Sequence, residues 1–242
     1  MEQEYNNYTA EDHKVWSILF SRQMEALSLN AAKEFIEGVT KVNFQKDSIP
    51  DFNEINEKLS ELTGWRLEPV KGIIPEKEFF ELLSQKRFCA TTWIRKMEEL
   101  DYLEEPDMFH DVFGHIPLLS NPDFCSFLEG LSEIAKQHLN DPFALSLLGR
   151  VYWFTVEFGL LNENGTLKIY GAGIASSMGE SKHSLSDKTE KLPFKISEIL
   201  RTVYRNDVMQ DKYFVICSLE ELYQSLPQLK KELVNLIKEQ AV

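Results

Sequence analysis

The chain has little cysteine, no long apolar run and a shortage of positive charge. Its 242 residues include three cysteines, Cys89, Cys125 and Cys217, scattered and without a CxxC pair. That excludes a disulfide-stapled secreted scaffold and suits a reducing cytoplasm. No apolar stretch approaches the roughly 20 residues needed to span a bilayer as a helix. The N-terminus, MEQEYNNYTAEDHK, is acidic and polar, so a signal peptide is not expected. Lys and Arg total 26 against 39 Asp and Glu, a formal net charge of −13. So acidic a surface repels phosphate backbones and argues against a nucleic-acid partner. It also keeps copies apart, which favours a monomer. Repeats, low-complexity tracts and long linkers are missing too, and 43% hydrophobic content at this length suits one sizeable core.

What is present is mostly helical pattern. Thr9 and Asp12 form a capping box that opens a helix with Val15, Trp16, Leu19, Phe20, Met24 and Leu27 on its inner face. Further helical patterns cover about residues 30–42, 51–62, 76–85, 123–139 and 143–161. RFCATTWIR (87–95) and KYFVIC (212–217) are rich in β-branched and aromatic residues and read as strands. Asn164-Gly165 signals a hairpin turn, and Ser218 with Glu221 caps a final helical region that Pro227 interrupts. The expected class is mainly α with small β elements, in a single domain over 1–242.

The chemistry concentrates in PDMFHDVFGHIP, residues 106–117. Two of only five histidines, His110 and His115, stand there, with Asp107 and Asp111 beside the first. The zinc-peptidase motif places its histidines at i and i+4 on one helical face. Here the second is at i+5, about 140° around a regular helix from the first. A shared ion therefore needs the helix to end near Phe113, and Gly114 and Pro117 supply residues that stop helices. From spacing alone, two unconnected histidines remain an equal reading.

A third candidate ligand is Glu157, in the apolar run YWFTVEFG. A buried, unpaired carboxylate costs several kcal/mol or takes up a proton, and a cation removes that penalty. Pairing with Arg150 is the plain alternative. Two histidines and a carboxylate make the facial triad of non-haem iron(II) oxygenases, and a catalytic zinc could use the same set.

Four stretches, EEPDMFHDVFGHIPLLSNPDF, VYWFTVEFGL, YGAGIASSMGE and GWRLEPVKGIIPEKEFF, together resemble the pterin-dependent aromatic amino acid hydroxylases, in particular their short bacterial, phenylalanine-hydroxylating form. The likeness covers about residues 5–225. It implies a single catalytic domain without separate regulatory or tetramerisation domains. It implies Fe(II) bound by His110, His115 and Glu157, and a tetrahydropterin such as tetrahydrobiopterin. Gly72, Ile73, Ile74, Phe79, Asp111 and Tyr152 match positions near the pterin. Arg95 matches the arginine that binds the amino acid carboxylate, which suits a planar, bidentate guanidinium. Pro106, Trp153, Phe158 and Ser176 match the remaining substrate contacts. Dioxygen and L-phenylalanine are the implied substrates, with L-tyrosine the product.

Three positions depart from the family pattern: Asp111 where glutamate is usual, Cys89 where many relatives have histidine, and Asn206 where relatives are often apolar. Asn206 keeps tyrosine or tryptophan open as substrate. Asp107 is a candidate acceptor for a ligand imidazole N–H, or else a helix N-terminal carboxylate. A His/His/Glu zinc hydrolase and a pterin-binding protein without catalysis are the readings from other classes.

Overall fold

A computed structural model describes residues 1–101, 103 and 105–240; Glu104, inside the first quoted motif, lies outside them. The chain begins with α1 (Ala10–Leu27), α2 (Lys33–Lys41) and α3 (Phe52–Leu62). The Thr9 capping box closes in both directions with Asp12. A parallel β-α-β unit follows: β1 (Arg66–Val70), α4 (Glu76–Leu83) and β2 (Arg87–Thr91), with Arg66 opposite Arg87 and Val70 opposite Thr91. A helical stretch over Phe109–Gly114 runs into α5 (His115–Leu119), α6 (Pro122–Lys136) and α7 (Pro142–Tyr152). Then come β3 (Leu160–Glu163), β4 (Thr166–Ile169), α8 (Ala172–Ala175), α9 (Met178–Ser184), β5 (Glu190–Pro193), α10 (Ile196–Ile199), β6 (Lys212–Ile216), α11 (Leu219–Gln224) and α12 (Leu226–Gln240). The second sheet has the order β4-β3-β6-β5, antiparallel only between β3 and β4. The mainly helical expectation holds.

The Asn164-Gly165 turn is a two-residue hairpin with both φ angles positive, 53° and 85°, the geometry that asparagine and glycine tolerate. The last helical region does break, at Ser225 between α11 and α12, and Pro227 sits in the first turn of α12, where a missing backbone N–H is tolerated. Two strands escape the sequence pattern, β1 (RLEPV) and β5 (EKLP). Both carry proline and are edge strands with one neighbour each, where proline is tolerated and alternation is weak.

The helix expected over 143–161 is too long. α7 stops at Tyr152, a π-helical turn covers Trp153–Glu157, and Phe158 leaves helical geometry at φ −124°, ψ 33°. Packing enforces the exit. The backbone of Gly171 passes so close that a Cβ there would sit 2.4 Å from the Glu157 carbonyl oxygen. Tertiary contact overrides the local helical preference at this point.

The expectation that the helix ends between the two histidines is also wrong. Phe109–Gly114 forms another π-helical turn, continuous with α5. Bonding i to i+5 widens the turn by one residue. His115 is thereby carried back over His110, a relation that a regular α-helix forbids. The underside of this turn is aromatic. Phe109 and Phe113 stack at 4.8 Å, with Trp16 of α1 edge-on at 5.4 Å and Phe35 of α2 at 5.9 Å. Fully burying such a ring stabilises by about 1.5–3 kcal/mol. These rings fix one side of the turn in the core, and His110 projects from the other.

α2 closes on α5 through Gly38. A Cβ on Gly38 would fall 2.1 Å from the Pro117 carbonyl oxygen, a backbone atom that cannot rotate away. Gly38→Ala should therefore push α2 off α5 and destabilise by about 1–3 kcal/mol. Urea unfolding should show a lower midpoint with an unchanged slope; an unchanged midpoint would mean that the two helices separate freely.

Candidate metal centre and its two cavities

The two π-helical turns deliver the three expected ligands to one point. His110 sits within the first, His115 opens α5, and Glu157 ends the second. His115 Nε2 lies 3.1 Å from Glu157 Oε1, His110 Nε2 lies 3.6 Å from Glu157 Oε2, and the two Nε2 atoms are 3.3 Å apart. One donor atom from each residue falls within 4.8 Å of the others. Arg150 is not the partner of Glu157; its guanidinium donates to the Leu200 carbonyl. Burial pushes the Glu157 carboxyl up, but His115, His110 and a Gly173 backbone N–H hold it on balance below its ordinary value.

Hydrogen bonds fix how these groups point. Ser176 Oγ donates to the Ala172 carbonyl at 2.8 Å, so its lone pair is free to accept from His110 Nδ1 at 2.9 Å. A hydrogen on Nδ1 leaves Nε2 as the bare donor facing the cluster. Ser176, expected at the substrate, thus also touches a ligand imidazole. His115 is held by rings: Phe88 of β2 at 4.6 Å and Tyr152 at 6.4 Å. Two imidazole nitrogens and a carboxylate converging with an open side suit a divalent cation of the iron type, so the residues fit a metal.

Asp107 does not reach an imidazole. Its carboxylate accepts Arg95 Nε at 2.9 Å and Nη2 at 2.8 Å, and takes the backbone N–H of Arg95 and of His110. It is therefore the N-terminal carboxylate of the first π-helical turn and a bidentate anchor for Arg95. Both side chains are buried, Asp107 completely. Among the described residues, Arg95 Nη1 makes no hydrogen bond, so part of the guanidinium remains available.

Two cavities adjoin the cluster, one through His110 and one through Glu157. The larger, about 670 Å³, is lined by Arg95, Pro106, His110, Phe158, Ser176 and, at its exposed rim, Asn206. The smaller, about 300 Å³, is lined by all six residues expected near a pterin, Gly72, Ile73, Ile74, Phe79, Asp111 and Tyr152, and by Glu157. Both volumes suit small-molecule ligands. Trp153 falls outside the expected grouping: it lines the smaller cavity, while its ring packs on Phe158 at 4.6 Å and stacks on Tyr204 at 4.3 Å. Phe79 meets Tyr152 edge-on at 5.0 Å.

The smaller cavity has a particular electrostatic character. Asp111 accepts the backbone N–H and hydroxyl of Thr91 at 2.7 and 2.9 Å. Burial raises its carboxyl above the ordinary value, against the lowering pull of His110 and Thr91. Burial also pushes the Cys89 thiol up to about 12, with Asp111 adding to the rise, so it is neutral at physiological pH. Tyr152 is raised well above its usual range by burial and then by Glu157, and stays a phenol. Sequence reasoning assigned nothing to Phe88, Thr91, Gly173 or Tyr204, because each gains its place only through contacts distant in sequence.

The fold and the His/His/Glu cluster beside two cavities are those of a candidate non-haem metal enzyme, and residues 4–239 match the model of the biopterin-dependent aromatic amino acid hydroxylases. The chain belongs to that family. It is 45% identical over 224 residues to the phenylalanine-4-hydroxylase of Chromobacterium violaceum, covering 91% of this chain and 74% of that protein. A crystal structure of the C. violaceum enzyme with iron(III) and oxidised 7,8-dihydrobiopterin is similar at a TM-score of 0.91 and 43% identity, covering 97% of this chain and 86% of that one. Another, with iron and phenylalanine bound, is similar at a TM-score of 0.89 and 41% identity, with coverages of 97% and 87%.

The Ser176–His110 contact carries a prediction. Ser176→Ala removes the acceptor that orients the imidazole and should weaken iron(II) binding by about tenfold to a hundredfold. Metal titration checks this, with the thermal midpoint of the metal-free protein as control. Unchanged affinity would show that the ring is oriented by packing alone.

Proposed function

We propose that this chain is an iron(II)- and tetrahydropterin-dependent phenylalanine 4-monooxygenase, converting L-phenylalanine to L-tyrosine with dioxygen. The observation that carries the reading is the convergence of His110, His115 and Glu157 on one point, with His110 lining the larger cavity and Glu157 the smaller. A metal held by these residues would stand beside both cavities, one suited to an amino acid and the other to a flat cofactor. Iron and the reduced pterin together supply the activation of dioxygen and two electrons, chemistry that side chains lack.

The chain's own residues bind and orient. Arg95, steered by Asp107, presents its remaining N–H groups to the substrate carboxylate. Pro106 and Phe158 give that cavity apolar wall against which an aromatic ring can lie. In the other cavity Phe79 offers a ring face to a planar cofactor, and the 72–74 segment offers backbone groups. Asp111 and the Tyr152 phenol supply polar contacts there, and Trp153 closes the wall between the two ligands. Holding both ligands beside one metal converts a many-body encounter into a positioned reaction.

The scattered, unpaired cysteines favour a cytoplasmic setting. Among the described residues no helix is long and apolar enough to cross a membrane. We take the catalytic unit to act as a monomer, which light scattering at micromolar concentration would check.

The direct test combines purified protein, iron(II), tetrahydropterin and each aromatic amino acid, with product identification. Tyrosine from phenylalanine, lost in His110→Ala, His115→Ala and Glu157→Ala, is the expected result. A higher kcat/KM for tyrosine or tryptophan would overturn the substrate, and full turnover in any of the three variants would remove that ligand. Arg95→Lys should raise the KM for phenylalanine about tenfold to a hundredfold, because an ammonium cannot replace the bidentate fork. An unchanged KM would assign the carboxylate to another group.

A further inference from the structure

Asn206 to Met209 form part of the rim of the larger cavity, and, with Arg205, their own packing does little to hold them. Val208 is 47% and Met209 55% exposed, and Asn206 is exposed as well. The Arg205–Asp207 ion pair lies within the segment. Among the described residues, every hydrogen bond that ties this segment to the body passes through Gln210, itself only 6% exposed.

All four polar groups of Gln210 are engaged. Its side-chain Nε2 donates to the carbonyls of Arg205 at 2.8 Å and Val208 at 3.0 Å. Its Oε1 accepts the indole Nε1–H of Trp153 at 3.0 Å. Its backbone N–H donates to Glu180 at 3.1 Å, and its carbonyl accepts from His183 Nε2 at 3.1 Å. The amide cannot be reversed, because two carbonyls can only accept and an indole N–H can only donate. Glu180 is fixed in turn by the Tyr213 hydroxyl at 2.6 Å.

Resting on the function proposed above, we infer that Gln210 is the positioning residue that sets the indole plane of Trp153 and, through the same amide, the rim over 205–209. It acts through Trp153, whose ring lies between Phe158 of the substrate cavity, tilted against it, and Tyr204 of the cofactor cavity, stacked on it. Rotation of the indole moves both neighbours at once. Gln210 therefore governs how tightly the amino acid ring is held beside the metal ligands.

The test reads the indole directly as well as turnover. Protein isotope-labelled at tryptophan nitrogen gives one indole N–H signal each for Trp16, Trp65, Trp93 and Trp153, and Trp153→Phe identifies the last. Gln210→Met keeps the volume and removes the amide. It should shift the Trp153 signal alone and speed its exchange with solvent. It should also raise the KM for phenylalanine about threefold to tenfold, the factor one hydrogen bond contributes, with kcat changed less. In a Trp153→Phe background the same substitution should change KM less than in the wild-type background, since its indole partner is gone and only its hold on the rim remains. An unmoved Trp153 signal in Gln210→Met, four signals moving together, or KM effects that multiply in the double variant would each overturn the inference. A wild-type protein that makes no tyrosine would overturn the function instead, and the indole signals would still decide the clamp.

Discussion

The widened helical turn is the constraint on which the site rests. Two histidines five residues apart cannot face one ion from an α-helix, and leaving the helix between them would cost the rigid support that metal ligands need. Closing Phe109–Gly114 on i to i+5 meets both requirements: the backbone stays hydrogen-bonded and the two imidazoles converge to 3.3 Å. Glu157 arrives by the same device, at the end of another π-helical turn. The widened turns are held open by packing on their far sides, by Phe109 and Phe113 in one case and by the close passage of Gly171 in the other.

From these turns the polar network extends outward in short steps. Asp107 caps the first turn and grips Arg95, so the group proposed to catch the substrate is referenced to the same backbone as the first ligand. Asp111, in the same turn, grips Thr91 at the end of β2. Ser176, just after α8, holds the His110 ring. Each buried carboxylate is satisfied by several donors, which is what makes its burial tolerable and its position definite. The two cavities thus share walls whose parts are mutually referenced, and Trp153 lies where they meet.

Much was legible in the sequence. The Thr9 box, the Asn164-Gly165 hairpin and the break just before Pro227 are local signals, decided by hydrogen-bonding reach and backbone sterics within a few residues, and they appear where expected. The family likeness, carried by four ordered motifs, named the three residues that converge and the six that line the smaller cavity. Less legible were the strands β1 and β5, whose prolines and polar residues mask edge pairing, and the role of Asp107, whose nearness to His110 in sequence suggested an imidazole contact that Arg95 takes instead.

What the sequence determined by itself is the inventory: an acidic, cysteine-poor, mainly helical chain with a His/His/Glu set and one well-placed arginine. Those properties depend on composition and on spacing along a few turns. What only the tertiary structure decided is geometry. Whether the helix ends or widens after His110, whether α7 continues past Tyr152, and which cavity Trp153 faces all depend on residues tens of positions away, such as Trp16, Phe35, Gly171 and Gln210. The physical reason is that a local helical preference of a few tenths of a kcal/mol per residue is smaller than the burial of one aromatic ring, at about 1.5–3 kcal/mol, so long-range packing decides the shape wherever the two compete.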